Sequence, residues 1–111
     1  MLRVRNIEHS KSWYETHLGF TTSYVDLQER LVVLGLGGQT SLTLWELKRG
    51  EALPPPGFAG AFPIFLTDDV AQTRQNLQER GVGVESIQDS SGVSFFGFFD
   101  PDGNRLEVCQ V

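Results

Sequence analysis

The sequence predicts an α+β protein made of two tandem βαβββ units, whose strands form a paired, curved mixed sheet around a cleft. Three observations predict this fold class. The order strand, helix, three strands occurs twice along the chain, and a glycine ends each predicted helix at a matching place, Gly19 and Gly81. The proline-rich passage ALPPPGFAGA lies between the halves and cannot continue a strand ladder. We predict one domain over residues 1–111, with units at 1–47 and 61–111 and a linker at 48–60.

The first unit begins with a predicted strand from Leu2 to Asn6, followed by a helix from about Glu8 to Leu18. Gly19 follows the helix directly, where a left-handed residue commonly ends one. Three strand-like runs come next, FTTSYVDL, RLVVLGLG and TSLTLWEL. The residues of the helix at the spacing of a single buried face are Trp13, Tyr14, His17 and Leu18.

The second unit follows the same order with different side chains. FPIFLT predicts a strand, and Asp68 or Asp69 can cap a helix through VAQTRQNLQER that Gly81 closes. Three further strands are predicted at VGVESIQ, VSFFGFF and RLEVCQV. The run Asp100-Pro101-Asp102-Gly103 between the last two fits a type I turn, with proline at its second position.

Composition and charge exclude several classes of function. Apolar residues make up 40% and charged residues 21%, which is typical of a globular protein. The net charge of -5 comes without a cluster of Lys or Arg, so we expect no nucleic-acid partner and no anionic membrane surface. No apolar run approaches the roughly 20 residues that span a bilayer. The lone Cys109 suits a reducing compartment, and we expect a cytoplasmic protein.

The last predicted strand carries one carboxylate, Glu107, between Leu106 and Val108. Side chains alternate along a strand, so Glu107 shares its face with Cys109 and lies opposite its two apolar neighbours. This face either meets water or lines a cavity, where an isolated ionised acid needs a partner. Both interpretations remain open at this point.

Two motifs carry a resemblance to a known family. WYETHLGF at residues 13–20 and DPDGNRLEVCQ at residues 100–110, one in each unit, resemble the paired signatures of the vicinal oxygen chelate superfamily. That superfamily includes glyoxalases, bleomycin-resistance proteins, fosfomycin-resistance enzymes and extradiol dioxygenases. The resemblance implies the paired βαβββ fold, a cleft for a small molecule and, commonly, a homodimer. It says less about function, because one fold hosts many activities.

In metal-dependent members of this family each unit provides two metal ligands, usually His, Glu or Gln. The resemblance places one of these positions on Glu107, which could ligate a metal. It places two others on Thr43, a poor ligand, and Phe62, which cannot ligate at all. The fourth would fall about one residue ahead of Met1. We therefore expect no cofactor, with a divalent metal possible only through Glu107.

With the concave face set by the family, its lining is mostly apolar and aromatic, as in many small-molecule pockets. We predict that six residues of this face bind the ligand: Arg3, Thr43, Trp45, Phe62, Phe95 and Glu107. The other predicted lining residues are Ile64, Gly97 and Cys109. An alternative is that the phenylalanines only fill the interior. An ion pair between Arg3 and Glu107 is a hypothesis for what replaces the metal.

The remaining reactive side chains have structural interpretations. Glu46 is predicted to be a surface acid at a strand end, because alternation points it away from Thr43. His9 and His17 are expected to be structural or surface groups. No base can be named for Cys109, and the chain has no Ser/His/Asp arrangement or dinucleotide-binding glycine motif. The catalytic residues, if any exist, are unknown.

Two classes of function remain. The first is a protein that binds a small aromatic or apolar molecule without the usual metal, as the resemblance to bleomycin-resistance proteins implies. The alternative is a metal-dependent lyase, isomerase or dioxygenase of the same superfamily with a reduced ligand set. If the chain is an enzyme, the resemblance implies a glyoxalase-type lyase or a dioxygenase-type oxidoreductase. The depleted ligand set favours the binding protein.

Overall fold

The computed structural model describes residues 1–53 and 62–111, which form two compact units, each with one helix and one four-stranded sheet. This confirms the α+β class. The first unit contains β1 (Leu2–Val4), α1 (Ile7–Leu18), β2 (Thr21–Asp26), β3 (Leu31–Gly35) and β4 (Ser41–Glu46). The second contains β5 (Ile64–Leu66), α2 (Val70–Glu79), β6 (Gln88–Ser90), β7 (Val93–Phe99) and β8 (Arg105–Gln110). Most of the predicted linker at 48–60 lies outside the described residues.

The two sheets have the same topology. Their strand orders are β1-β4-β3-β2 and β5-β8-β7-β6, so the first strand of each unit lies beside the last. That pair is parallel and the other pairs are antiparallel, which makes both sheets mixed. The parallel pair is possible because the helix provides the crossover connection between them. The repeated order of strands and helix predicted from the sequence is therefore also a repeated sheet topology.

Residues at both ends of the helices explain where each helix begins and ends. Asn6 and Asp69 are the N-caps, and each side chain accepts a hydrogen bond from the backbone N–H three residues on. Gly19 has a φ of 73° at the end of α1, and Gly81 has a φ of 83° just after α2. This left-handed conformation costs glycine little. The predicted β1 ends at Val4 rather than Asn6, because Asn6 caps the helix.

A second side chain binds the start of each helix from the last strand of its own unit. The Glu46 carboxylate accepts a hydrogen bond from Ile7 N–H at 3.0 Å. Gln110, at the end of β8, accepts one from Val70 N–H at 2.8 Å. Each bond satisfies a backbone donor that a helix leaves unpaired at its first turn. Glu46 does lie opposite Thr43, as predicted, but it is half-buried and ties β4 to α1 rather than lying free on the surface.

The hydrophobic core of each unit lies between its helix and one face of its sheet. Tyr14 is the only member of the predicted face of α1 that is fully buried, and Trp13, His17 and Leu18 are half-buried. Alternate strand residues complete the two cores: Leu2, Val4, Val32, Leu34, Leu42 and Leu44 in the first unit, and Phe96, Phe98, Leu106 and Val108 in the second. The opposite face of each sheet is left without a helix from its own unit.

One predicted strand is wrong. VGVESIQ at residues 82–88 was expected to be continuous, but β6 begins only at Gln88. Val84 bridges Phe98, and Gln88 pairs with Phe95. The chain takes four residue steps from Val84 to Gln88, but its partner strand takes only three from Phe98 back to Phe95. One extra residue therefore interrupts the ladder, as in a β-bulge. Glu85 lies within this interruption.

No helix in the described ranges has the length and apolar character needed to cross a membrane.

We predict that Glu46→Ala lowers the free energy of unfolding at pH 7 by roughly 1–2 kcal/mol, since it removes a charge-assisted bond to the helix start. Hydrogen bonds from Arg30, and then from Ile7 N–H, hold the pKa of the Glu46 carboxyl below its usual value. A lowered folded-state pKa stabilises the protein above the unfolded pKa, and that contribution is lost as the pH falls through the folded value.

The difference between wild type and Glu46→Ala should therefore shrink below about pH 4.3. Urea denaturation at pH 7 and pH 3 measures it. Glu79→Ala is the control, because Glu79 is exposed at the end of α2. A Glu46→Ala variant as stable as the Glu79→Ala variant at pH 7 would show that Glu46 does not stabilise α1.

Candidate functional site

The candidate site begins at Glu107, in the middle of the open face of the second sheet. Its neighbours in register are Ile64 on β5 and Gly97 on β7. The Glu107 side chain is 14% exposed, so it is neither free in water nor fully desolvated. Of the two interpretations left open by the sequence, a wholly wet acid does not describe it, while an acid that needs a partner is compatible with this burial.

Glu107 is paired with Arg105, two residues earlier on the same face of β8. The Arg105 Nη1 donates a hydrogen bond to the Glu107 carboxylate. The same guanidinium donates to Glu85 Oε1, from Nη2 at 2.7 Å and from Nε at 3.1 Å. The bonds to Glu107, and then to Glu85, raise the pKa of Arg105 against the opposing effect of burial. We call Glu85, Arg105 and Glu107 the arginine cluster.

Gly97 makes room for the arginine cluster. A Cβ atom added at Gly97 would lie 2.6 Å from Arg105 Nη2 and 2.8 Å from Arg105 Cζ, and it would overlap Glu85 Oε1. The guanidinium therefore lies so close to the glycine backbone that a larger residue at this position would require Arg105 and Glu85 to shift. Glycine inside a strand commonly marks such a close approach.

Aromatic and aliphatic side chains surround the arginine cluster. The Phe62 ring centroid lies 5.5 Å from Arg105 Cζ, within the range of a cation–π contact. Phe95 is half-buried and pairs in register with Cys109 on the same face. Ile64 and Leu66 project from β5 on this face and are 54% and 76% exposed. The second unit thus brings Phe62, Phe95 and Glu107 of the predicted site to one sheet face.

The other three predicted residues lie on the open face of the first sheet. Arg3 and Trp45 are register partners on β1 and β4, and Arg3 Cζ lies 4.6 Å from the Trp45 ring centroid. Lys48 Nζ lies 5.1 Å from the same centroid. Thr43 is half-buried and pairs with Val33. Trp45 is held further by its indole N–H, which donates to Glu29 O at 3.0 Å.

Each residue of the hypothesised Arg3–Glu107 ion pair has a different partner within its own unit. Arg3 donates to both carboxylate oxygens of Glu51, at 2.5 and 3.0 Å, while Glu107 accepts from Arg105. Sequence reasoning missed Glu85 and Arg105. Alternation alone places Arg105 beside Glu107, so that signal was available. Glu85 was not predictable from spacing, because its strand is interrupted.

The histidines and Cys109 have local surroundings that agree with structural roles. His9 is exposed in the first turn of α1, and the His17 ring stacks on Trp13 with centroids 5.0 Å apart. Cys109 is a half-buried free thiol. Nothing in these contacts assigns either histidine or the thiol to a reaction.

The residues at the family's metal positions do not fit a metal. Of the three positions that fall within the chain, Thr43 offers a neutral hydroxyl and Phe62 offers no donor. Glu107 offers a carboxylate, but a guanidinium already binds it.

Comparisons with known proteins agree with this fold. The profile of the Glyoxalase/Bleomycin resistance protein/Dioxygenase superfamily matches residues 1–108. Among solved structures, the antibiotic-binding protein TnmS3 from Streptomyces sp. CB03234 is 30% identical, with a TM-score of 0.76 over 98% of this chain and 92% of that one. A glyoxalase family protein from Enterococcus faecalis is 25% identical, with a TM-score of 0.82 over 97% and 91%.

A third similar structure shows the fold alone, because its identity is low. It is an integron cassette protein from the mobile metagenome of the Halifax Harbour sewage outfall, 23% identical, with a TM-score of 0.84 over 99% of this chain and 93% of that one. A comparison with curated protein sequences gave no significant match.

We predict that Gly97→Ala lowers the free energy of unfolding by about 1–3 kcal/mol, because the new methyl group must displace the arginine cluster. Gly83→Ala is a matched control, since a Cβ at Gly83 meets nothing within 4 Å. Urea denaturation of both variants measures the effect. Equal stability of the two variants would contradict the close packing of Arg105 on Gly97.

Proposed function

Because the chain belongs to the Glyoxalase/Bleomycin resistance protein/Dioxygenase superfamily, we propose that it binds a small aromatic or apolar molecule without the metal that metal-dependent members use. One observation carries this proposal. Glu107, the strongest potential metal ligand among the matching positions, is bound by Arg105, while apolar side chains on the same sheet face remain open to contact.

The exposed apolar surface supports a ligand at this face. Phe62, Ile64 and Leu66 are 39%, 54% and 76% exposed and come from one short stretch of chain. Covering apolar area is favourable by about 25 cal/mol per Å², so a flat apolar molecule gains affinity by lying against them. Contiguous exposed apolar residues in soluble proteins commonly mark binding sites. Phe95 and Glu107 border this surface and are proposed contacts.

The first sheet offers a second set of proposed contacts, Arg3, Thr43 and Trp45. Trp45 supplies a large ring whose position is fixed by Arg3 and by its bond to Glu29. Thr43 supplies a hydroxyl that can donate or accept a hydrogen bond. Apolar walls with a few polar groups are the usual composition of a small-molecule site.

A similar protein supports the binding role. TnmS3 is described as an antibiotic-binding protein, and it is 30% identical to this chain over nearly its whole length. The superfamily also contains enzymes, so the comparison favours a binding function by analogy only. The depleted donor set at Thr43 and Phe62 is the feature of this chain that separates the two classes.

We predict that Phe62→Ala weakens the binding of an aromatic ligand at least tenfold, since it removes a ring from the apolar surface. A thermal-shift screen of aromatic antibiotics and metabolites identifies ligands, and isothermal titration calorimetry then gives affinities. Tyr24→Ala is the control, because Tyr24 is an aromatic residue 56% exposed on β2. If Phe62→Ala and Tyr24→Ala bind equally, the ligand does not lie at this face.

We predict that binding does not depend on a divalent metal. Protein purified without chelator should contain no stoichiometric zinc, nickel, iron or manganese by plasma mass spectrometry. The affinity of a ligand found in the screen should change less than twofold after dialysis against EDTA. Stoichiometric metal, or loss of binding after EDTA, would instead favour the metal-dependent enzyme.

We also propose that the protein acts as a cytoplasmic homodimer. The lone thiol suits a reducing compartment, and the edge strands β2 and β6 leave backbone groups that a second copy could cover. Sedimentation equilibrium at micromolar concentration should give twice the mass of the chain. A single species of 12.4 kDa would contradict the dimer.

A further inference from the structure

We propose that the Arg105 guanidinium is the surface on which the ligand's aromatic ring stacks, and that the ligand accepted there is uncharged or cationic rather than anionic. This inference rests on the proposed function and adds the residue that receives the ring and the charge of the ligand. All the residues involved belong to the second unit.

One side of the guanidinium lies against Gly97. The distances from a Cβ at Gly97 would be 2.6 Å to Nη2 and 2.8 Å to Cζ. Because these two values are nearly equal, the group lies across the glycine rather than pointing at it end-on. The Arg105 side chain is still 31% exposed, so part of it remains accessible to a ligand.

Hydrogen bonds fix the position of the guanidinium. All three of its nitrogens donate within the arginine cluster, Nη1 to Glu107 and both Nε and Nη2 to Glu85. A free arginine side chain would lose rotamer entropy when a ligand ordered it. Here the protein has already ordered the group, and such preorganisation raises affinity. Arginine, unlike lysine, presents a plane on which aromatic rings stack.

The surroundings of Arg105 suit a flat ring. The Phe62 ring lies near the guanidinium, with its centroid 5.5 Å from Cζ. Ile64 lies beside Glu107 in register and is 54% exposed. A ring stacked on Arg105 would therefore also cover apolar surface at its edges, which stacking on an isolated surface arginine would not achieve.

The charges of the arginine cluster select against anions. Glu85 and Glu107 carry two negative charges at neutral pH and Arg105 carries one positive charge, so the cluster has a net charge of -1. Three of the five guanidinium N–H groups donate to these carboxylates, and the net negative charge of the cluster opposes a ligand acid. A carboxylate on the ligand would meet like charge within a few ångströms, whereas a neutral or cationic ring would not.

Three naphthalene probes of one shape and different charge test this inference at pH 7: 2-naphthol, 2-naphthoate and 2-naphthylmethylamine. Isothermal titration calorimetry gives each dissociation constant for the wild type, Arg105→Lys and Arg49→Lys. Arg49 is an exposed residue of the first unit and serves as the matched control. Circular dichroism and thermal melting check the fold of each variant.

We expect 2-naphthoate to bind the wild type at least tenfold more weakly than 2-naphthol, and 2-naphthylmethylamine to bind no more weakly than 2-naphthol. We expect Arg105→Lys to lose at least tenfold in affinity for 2-naphthol, while Arg49→Lys changes it less than twofold. Equal binding of 2-naphthol by both variants, or of 2-naphthoate and 2-naphthol by the wild type, would overturn the inference. The charge series needs only the wild type, so it decides even if Arg105→Lys does not fold.

The proposed function and this inference can fail separately. If a compound from the aromatic screen binds at the Phe62 face but the naphthalene series does not bind or shows no charge dependence, only the stacking role of Arg105 is wrong. If neither the screen nor the probes give binding, the proposed function is wrong as well.

Discussion

One helix can cover only one face of a four-stranded sheet, and this constraint governs both units. Along β1, β3, β4 and β8, buried residues on the helix side alternate with half-buried or exposed residues that form an open face. Because side chains alternate, every functional candidate identified in the sequence falls on an open face once the core positions are fixed. The mixed topology follows from the same arrangement, since the helix connects two parallel neighbours.

The repeat gives the two units residues at corresponding positions. Glu46 and Gln110 are at corresponding positions, and each accepts a hydrogen bond from the first N–H of the helix in its unit. Three residues earlier on those two strands lie Thr43 and Glu107. The two units thus share a scaffold and differ at the position where the family places metal ligands. This difference is local, because the hydrogen bonds that hold the helices are kept.

The arginine cluster depends on a small residue as much as on its charges. Gly97 opposite Glu107 leaves the space into which Arg105 folds back along its own strand. The family resemblance places a metal ligand at Glu107. In this chain the Arg105 guanidinium binds that carboxylate. Under the proposed function, this face would provide hydrogen bonding and stacking in place of Lewis-acid catalysis.

Much of the fold was predictable from local signals. Gly19, Gly81 and the Asp100–Gly103 turn gave the boundaries, because left-handed glycine and Asp-Pro-Asp-Gly turn chemistry act within a few residues. The interrupted strand before β6 was not predictable, since a bulge depends on the pairing partner. Alternation placed Phe62, Phe95 and Glu107 on one face once the family resemblance had set which face is concave. Arg105, the partner of Glu107, was missed although alternation places it on the same face. Glu85 was not predictable, because the strand that carries it is interrupted.

The central claim is that the Glu107 carboxylate serves an internal cation rather than a metal. Paramagnetic Mn²⁺ added to ¹⁵N-labelled protein tests it most directly, because bound Mn²⁺ broadens nearby amide signals. We predict that one equivalent of Mn²⁺ leaves the amide intensities of Gly97, Glu107 and Val108 no more reduced than those of α2. Selective loss of those three signals at one equivalent would contradict the account.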